Sequence, residues 1–298
     1  MLMGGWSAER EVSLVSGEAC ARALEARGYR VTRIDVDRDL PLRLAELRPD
    51  CCFNALHGRM GEDGRVQGLL DLMGIPYTHS GVLASALAMD KPMAKRLFVS
   101  AGLRCPEGVE TTPARLAREG SPLPPPFVVK PACEGSSVGV CIVTDGDLAP
   151  VLARNDVEPH ERLLIETYVP GRELTCAVLD DRPLTVTEIV PECGFYDYRA
   201  KYTEGLARHL VPAPLPDPIY ERVMDWALTA HRVLGCRGVS RADFRYDERY
   251  GPDGLYLLEV NTQPGMTPLS LVPEQAAHCG ISFDDLVVRL VEEARCDR

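Results

Sequence analysis

The chain has 298 residues, 45% of them hydrophobic and 26% charged, which is the balance of an ordinary soluble globular protein long enough for two or three domains. A formal net charge of -11 excludes a generally basic nucleic-acid surface, and no stretch combines a charged n-region with an apolar run or is long enough to span a bilayer. The 11 cysteines include no C-x-x-C pair, and Cys52, Cys141, Cys176 and Cys236 fall among core-like residues. Reduced, buried thiols in a cytoplasmic protein are therefore expected, not a disulfide or zinc framework.

Met1 to Met3 read as the end of a strand, followed by a turn at Gly4 and Gly5 and a helix from about Arg10 to Arg27 that Gly28 stops. A strand at Arg30 to Val36, another at Cys51 to Leu56, a helix at Glu62 to Met73 and a strand at Ile75 to Thr78 follow. This βαβ rhythm predicts a small parallel sheet with helices on its faces, ending near Leu87. From Ala88 the pattern changes. A helix at Lys91 to Gly102 leads to the stiff, extended linker Ser121 to Pro126, then to strands at Phe127 to Pro131, Gly139 to Val143, Arg162 to Val169 and Glu173 to Leu179, with a helix near Leu148 to Asn155. That is an α+β module. The remainder opens with a strand at Leu184 to Val190 and a long loop from Glu192 to Gly205. A helix at Asp217 to Leu234 follows, with Asp217 as N-cap, Pro218 at N1 and Gly235 as its stop. A hairpin turns at Gly251 to Gly254, and a last helix opens with Ser282 and Asp285 as a capping box.

Three constellations carry chemistry. In the hairpin, Asp243, Glu259 and Asn261 share a face because strand side chains alternate with period two, and hard oxygen ligands of this kind suit Mg²⁺ held together with substrate phosphates. Lys130 ends a strand and runs into the glycine- and serine-rich turn Glu134 to Gly139, which offers a positive charge and free backbone N–H donors for phosphates. Glu166 and Glu173 straddle a bend at Pro170 and Gly171, where they could accept from an adenine amino group and ribose hydroxyls while the Thr167 to Val169 backbone reads the base edge.

Each has a plainer reading: a solvated acidic edge, a structural glycine turn, surface glutamates beside a bend. Gly135 to Gly139 also fits the G-x-S-x-G nucleophile elbow with Ser137 as nucleophile. The elbow requires a helix directly after the serine, whereas Val138 to Val143 reads as a strand. No Walker A sequence and no G-x-G-x-x-G occur, so a nucleotide would be bound by another fold.

With these constellations in order, the chain resembles the ATP-grasp family, and within it the D-alanine:D-alanine ligases. The resemblance runs over essentially the whole length and rests on Gly4 to Ser13, Ala55 to Gly64, Tyr77 to Gly81 continuing to Met89, Asp90 and Lys91, Glu134 to Gly139, Phe195 to Tyr202, Asn261 to Thr267 and Leu269 to Pro273. It implies an α/β (α+β) three-domain ATP-grasp fold with an N-terminal βαβ domain at 1–87, a central subdomain at 88–180 and a catalytic, metal-binding subdomain at 181–298. It also implies a cytoplasmic carbon–nitrogen ligase of peptidoglycan precursor synthesis. ATP phosphorylates one D-alanine, and the amine of a second attacks the acyl phosphate to give D-alanyl-D-alanine.

The same resemblance implies the roles. Asp243, Glu259 and Asn261 hold two Mg²⁺ or Mn²⁺ ions, while Lys91, Lys130 and Lys201 meet the phosphates. Glu166, Thr167, Val169 and Glu173 receive the nucleoside. Glu9, with His57 beside it, takes the first D-alanine's ammonium; Glu9, Ser136 and Tyr202 form a hydrogen-bonded set over the closed site. Arg241 and the Gly265 N–H stabilise the oxyanion, and Ser270 with Lys201 takes the second carboxylate. Partners are then ATP and D-alanine, with no nucleic acid or membrane, and a homodimer is expected. Thr167 and Cys133 stand where the family often has lysine and arginine, and the first strand is shorter than usual. The alternatives are a D-alanine:D-lactate ligase, against which Tyr202 argues, and a non-catalytic ATP-binding relative, against which the complete set of metal ligands and Arg241 argue.

Overall fold

The computed structural model describes residues 1–135, 139–153, 158–191 and 207–297. At the N-terminus β1 (Leu2–Met3) pairs in parallel with β2 (Ile34–Asp35), and single bridges from Leu2 to Asn54 and from Cys52 to Tyr77 extend the layer. The parallel sheet expected from the βαβ rhythm is thus present in outline, but the strands expected at Arg30 to Val36, Cys51 to Leu56 and Ile75 to Thr78 shrink to a few paired residues. For the two segments beside β1 the physical reason is its length of two residues, because a ladder extends only as far as its neighbour offers N–H and C=O groups, while Tyr77 bridges Cys52 and Arg295.

Helix Arg10–Ala26 lies so close on β1 that a Cβ at Gly17 would sit 2.6 Å from Met3 Cβ, a separation only glycine permits. Helix Leu40–Leu47, absent from the sequence expectation, covers the other side with Leu40 and Leu44 buried. Helix Arg65–Met73 starts three residues later than expected because Gly64 takes φ 90 ahead of it.

Helices Val82–Met89 and Lys91–Ser100 meet at Asp90, which is C-cap of the first and N-cap of the second. The central unit is a four-stranded antiparallel sheet in the order β3 (Gly108–Thr111), β6 (Leu163–Thr167), β4 (Phe127–Pro131), β5 (Cys141–Val143). Its own core of Leu116, Phe127, Val129, Val143, Leu163 and Ile165 closes under helix Pro113–Glu119.

A five-stranded antiparallel sheet in the order β11 (Leu255–Asn261), β10 (Val239–Tyr246), β7 (Arg172–Leu179), β8 (Arg182–Pro191), β9 (Ala207–Leu210) dominates the rest. The division expected at residue 180 falls inside this sheet, since β7 is hydrogen-bonded to both β8 and β10. One face packs on helix Asp217–Leu234 through Val223, Ala227, Phe244 and Leu257, together with Phe98 of helix Lys91–Ser100. The opposite face, through Ala177, Leu179 and Val239, meets helices Arg10–Ala26, Leu271–His278 and Phe283–Glu292. The N-terminal layer and the large sheet therefore share one core.

Two caps differ in outcome. Ser282 Oγ accepts from the Asp285 N–H at 3.1 Å, as the capping box requires. Asp217, expected as N-cap, is instead the first helical residue with Pro216 at the cap position, so its charge serves the helix dipole alone. No disulfide joins the cysteines of the described residues, where Cys20, Cys52 and Cys176 are buried. None of the described helices is long and apolar enough to cross a membrane.

Candidate active site

Cross-strand register builds the acidic part of the site. Asp243 on β10 pairs directly with Glu259 on β11, and Arg241 with Asn261, so all four project to one face. Arg241 donates to both Asp243 carboxylate oxygens at 2.8 and 2.7 Å, and Thr175 Oγ1 donates to Asp243 Oδ1 at 2.7 Å. Glu259 Oε2 lies 3.2 Å from Lys91 Nζ, and Asn261 Oδ1 accepts from the Gln263 N–H at 2.8 Å. No three His, Cys, Asp or Glu side chains of the described residues converge on one point. Two carboxylates and a carboxamide on one face are nevertheless the hard-oxygen set that Mg²⁺ uses when phosphate oxygens complete its shell, so the residues fit such an ion.

Lys91 is delivered by its helix start. Asp90 caps that helix by accepting from the Met93 N–H at 3.1 Å, the Lys91 N–H donates to Ala132 O at 3.0 Å, and Lys91 Nζ donates to Glu134 O at 2.5 Å. Lys130 and Glu166 are diagonal neighbours on one face of the β4–β6 pairing, Glu166 lying opposite Val128 and Lys130 opposite Leu164, with Lys130 Nζ 2.6 Å from Glu166 Oε2, and Lys95 Nζ pairs with Glu166 Oε1. Burial alone would push the Glu166 carboxyl up, but the two ammonium groups outweigh it and hold the carboxylate below its usual range. Burial lowers Lys95, whereas at Lys130 the charges of Glu166 and Glu259 overcome burial and raise it. Glu166, expected with Glu173 to accept from an adenine amino group and ribose hydroxyls, is here the counter-charge of a buried lysine pair.

The opposite wall comes from the N-terminal layer. Glu9, at the N-cap position of helix Arg10–Ala26, is buried, and a Cβ on Gly58 or Gly135 would lie 2.9 or 3.0 Å from its Oε2. Buried His57 sits 3.5 Å from Glu62 and 3.3 Å from Ser16 Oγ. Burial would lower its pKa, but Glu62 and then Glu9 outweigh this and raise it. Arg59 Nε pairs with Glu134 at 2.7 Å, and burial pushes the Glu134 carboxyl up. Ser270 caps its turn, its Oγ accepting from the Thr267 N–H at 2.9 Å and facing Gly265, where a Cβ would stand 2.9 Å from the hydroxyl.

Two cavities result. One cleft is lined by Glu9, His57, Arg241, Asn261, Gly265 and Ser270, and a neighbouring one by Lys130, Glu166, Thr167, Tyr168 and Val169. Lys91, Glu134, Gly135, Glu173, Asp243 and Glu259 line both. The described residues predicted for the site therefore converge on two connected cavities, while Ser136, Lys201 and Tyr202 lie outside the described residues. Sequence reasoning gave no role to Lys95, Glu62 or Gln263. Lys95 had one signal, its i,i+4 spacing from Lys91 on a single helix face.

The family models for the D-ala D-ala ligase C-terminus and N-terminus match residues 104–292 and 41–80. The chain is 57% identical over 298 residues to a D-alanine–D-alanine ligase of Rhizorhabdus wittichii, covering 99% of this chain and 95% of the relative. With one from Cereibacter sphaeroides it shares 59% over 299 residues, covering 100% and 96%. The D-alanine–D-alanine ligase structure from Bacillus anthracis superposes with a TM-score of 0.82 at 34% identity, covering 98% of this chain and 95% of that one. The same organism's enzyme complexed with ATP gives 0.79 at 33%, covering 98% and 94%. With one family model spanning more than half of its length and relatives near 60% identity across the whole of it, this chain belongs to the D-alanine–D-alanine ligase family.

Proposed function

We propose that the protein joins two D-alanines into D-alanyl-D-alanine for peptidoglycan precursor synthesis, at the expense of ATP. The observation that carries this reading is the junction of the two cavities, where Asp243, Glu259 and Lys91 border both. A nucleotide in one cavity and an amino acid in the other would meet at these charges.

In the first step a carboxylate oxygen of D-alanine forms a bond to the γ-phosphorus of ATP and ADP leaves. In the second the amine of another D-alanine attacks the acyl carbon, the tetrahedral oxyanion collapses, and phosphate departs with the proton lost from nitrogen. Lys91, Lys130 and Lys201 offset phosphate charge, and Glu166, Thr167, Val169 and Glu173 receive base and ribose. Glu9 takes the first ammonium with His57 beside it, and Ser270 with Lys201 takes the second carboxylate. Arg241 and the Gly265 N–H hold the oxyanion, where preorganised donors are most effective. Asp243, Glu259 and Asn261 would hold divalent ions, two Mg²⁺ or Mn²⁺ in this reading, which supply charge neutralisation between carboxylate and phosphates. A cytoplasmic location and a homodimer belong to the same reading and rest on the family.

Phosphate release from ATP across a panel of D- and L-amino acids and hydroxy acids tests it. Turnover that requires D-alanine and a divalent ion is expected. ATP hydrolysis indifferent to D-alanine, or a preference for L-amino acids, would overturn it.

A further inference from the structure

The turn Asn261 to Met266 carries a metal-side carboxamide at one end and the Gly265 N–H near the other, yet it is anchored chiefly by the N-terminal layer. Gln263 is 1% exposed and Asn54 is 0% exposed. Asn54 Nδ2 donates to Gln263 Oε1 at 2.7 Å, and Gln263 Nε2 donates to Leu56 O. The Gln263 backbone also reaches the metal side, where its N–H donates to Asn261 Oδ1 at 2.8 Å, while Gln263 Nε2 and Asn54 tie it to the residues just before His57. Asn54 is itself fixed, since its second Nδ2 hydrogen goes to Gly61 O at 2.9 Å, its Oδ1 accepts from the Leu56 N–H at 3.2 Å, and its own N–H donates to Thr78 Oγ1 at 3.0 Å. A separate tie follows three residues on, where the Met266 N–H donates to Ser16 Oγ at 3.2 Å and that hydroxyl lies 3.3 Å from His57 Nε2.

We propose that the buried Asn54–Gln263 pair is a positioning element that sets the Asn261–Gly265 turn against the His57 segment, and so fixes the distance between the metal-side and substrate-side halves of the site. A primary carboxamide suits the task because it accepts and donates at once, spanning Asn54 and Leu56 with a single planar group. Buried bonds of this kind are costly to break, which makes the setting stiff. Neither residue touches the reacting groups. They act through Asn261, Gly265 and His57, so the inference rests on the ligase reading for its kinetic consequence and on geometry alone for its structural one.

The test uses the full chain with Gln263→Met, Asn54→Leu and both together. Gln263→Met is close in volume and keeps the core filled. We expect kcat to fall about tenfold or more with KM for ATP within about twofold, because displacement by a fraction of an ångström acts on the transition state and no residue of this turn lines the nucleotide cavity. The double variant should lose no more than the worse single one, as for two members of one unit. Independently of activity, the backbone amides at positions 263 and 266 should exchange faster in the ligand-free Gln263→Met protein while distant strands keep their protection. The proposal is overturned by kcat within about twofold of the unmodified chain in Gln263→Met, by losses that multiply in the double variant, by a fall in kcat that merely tracks the unfolded fraction, or by unchanged amide exchange. If the unmodified chain makes no D-alanyl-D-alanine, the ligase reading fails and the exchange measurement still decides the positioning claim.

Discussion

Asp243 and Glu259 are direct cross-strand partners, and each carboxylate already faces its own cation, Arg241 at 2.7 Å and Lys91 at 3.2 Å. Two like charges side by side on a sheet are unfavourable by themselves, so their pairing at this point is a functional cost offset by those cations. Asp243→Asn and Glu259→Gln should each cut turnover at least about 100-fold, since they remove charge and leave volume unchanged. Phosphate release over a Mg²⁺ titration, beside a thermal melt, checks this. Near-normal activity at saturating Mg²⁺ would mean that the metal lies elsewhere.

Gly58 takes φ +70, and a Cβ there would stand 2.9 Å from Glu9 Oε2 and 3.2 Å from Ser7 Cβ. Gly58→Ala should therefore push Glu9 out of place, raising KM for D-alanine about tenfold while leaving KM for ATP within about twofold, at a stability cost of about 1 kcal/mol. Initial rates with each substrate varied in turn decide it. Equal changes in both constants would remove Glu9 from the ammonium's role.

Gln275 is fully buried beneath the large sheet. At the register shift between Cys176 and Val178 its Oε1 accepts from the Ala177 N–H at 2.8 Å, while its Nε2 donates to Thr175 O at 3.2 Å and Thr187 Oγ1 at 3.1 Å. Gln275→Leu fills the space and leaves these groups unsatisfied, which should lower unfolding free energy by about 2 kcal/mol. A urea titration gives the number, and a loss under about 0.5 kcal/mol would show that water or relaxation replaces the side chain.

His79 is buried, and burial, followed by the charges of His57 and Arg237, lowers its pKa to about 3. Above pH 6.5 the imidazole is neutral in both folded and unfolded chains and costs nothing. As pH falls from 6.5 towards about 3, the unfolded chain binds a proton that the folded one refuses, so stability should drop by up to about 1.4 kcal/mol per pH unit. Buried His231 is lowered in the same direction, whereas His57 is raised and works the opposite way. His79→Asn isolates the contribution, because asparagine tolerates the φ of 69 found there, and it should flatten the curve of melting temperature against pH on the acid side. An unaltered curve would sink the assignment.

Tyr202 lies outside the described residues, and its prediction rests on the family reading. Tyr202→Phe should gain D-alanyl-D-lactate formation while the unmodified chain prefers the dipeptide near neutral pH, as mass spectrometry with both acceptors present would show. An unchanged product ratio would place acceptor choice elsewhere.

Much of this architecture is legible in local chemistry. Helix Asp217–Leu234 announces itself by periodicity, Pro218 and Gly235, and the shared face of Asp243, Glu259 and Asn261 follows from period two and a turn. Helices Leu40–Leu47 and Leu271–His278 escape because each is eight residues long with a proline in its first turn, a combination that reads as loop. The N-terminal strands overstate themselves, since an apolar run cannot report how short its neighbour is. Lys95, Glu166 and Lys130 come together only when helix Lys91–Ser100 lands beside β4 and β6, and no local pattern carries that long-range contact.

Asp90 caps helix Lys91–Ser100 and also receives Arg162 of the central unit, with Arg162 Nη1 at 2.7 Å from Oδ2. The Arg162 carbonyl accepts from the Ala132 N–H at 2.9 Å, and Ala132 O accepts from the Lys91 N–H. Lys91 is therefore geared to the small sheet, although its helix packs on the large one. Any rigid-body swing of the small sheet would drag Lys91 along with Glu134, and its 3.2 Å contact with Glu259 would be where the two halves part. One side chain at a helix junction then works as the pivot, with Lys91 at the end of a very short lever.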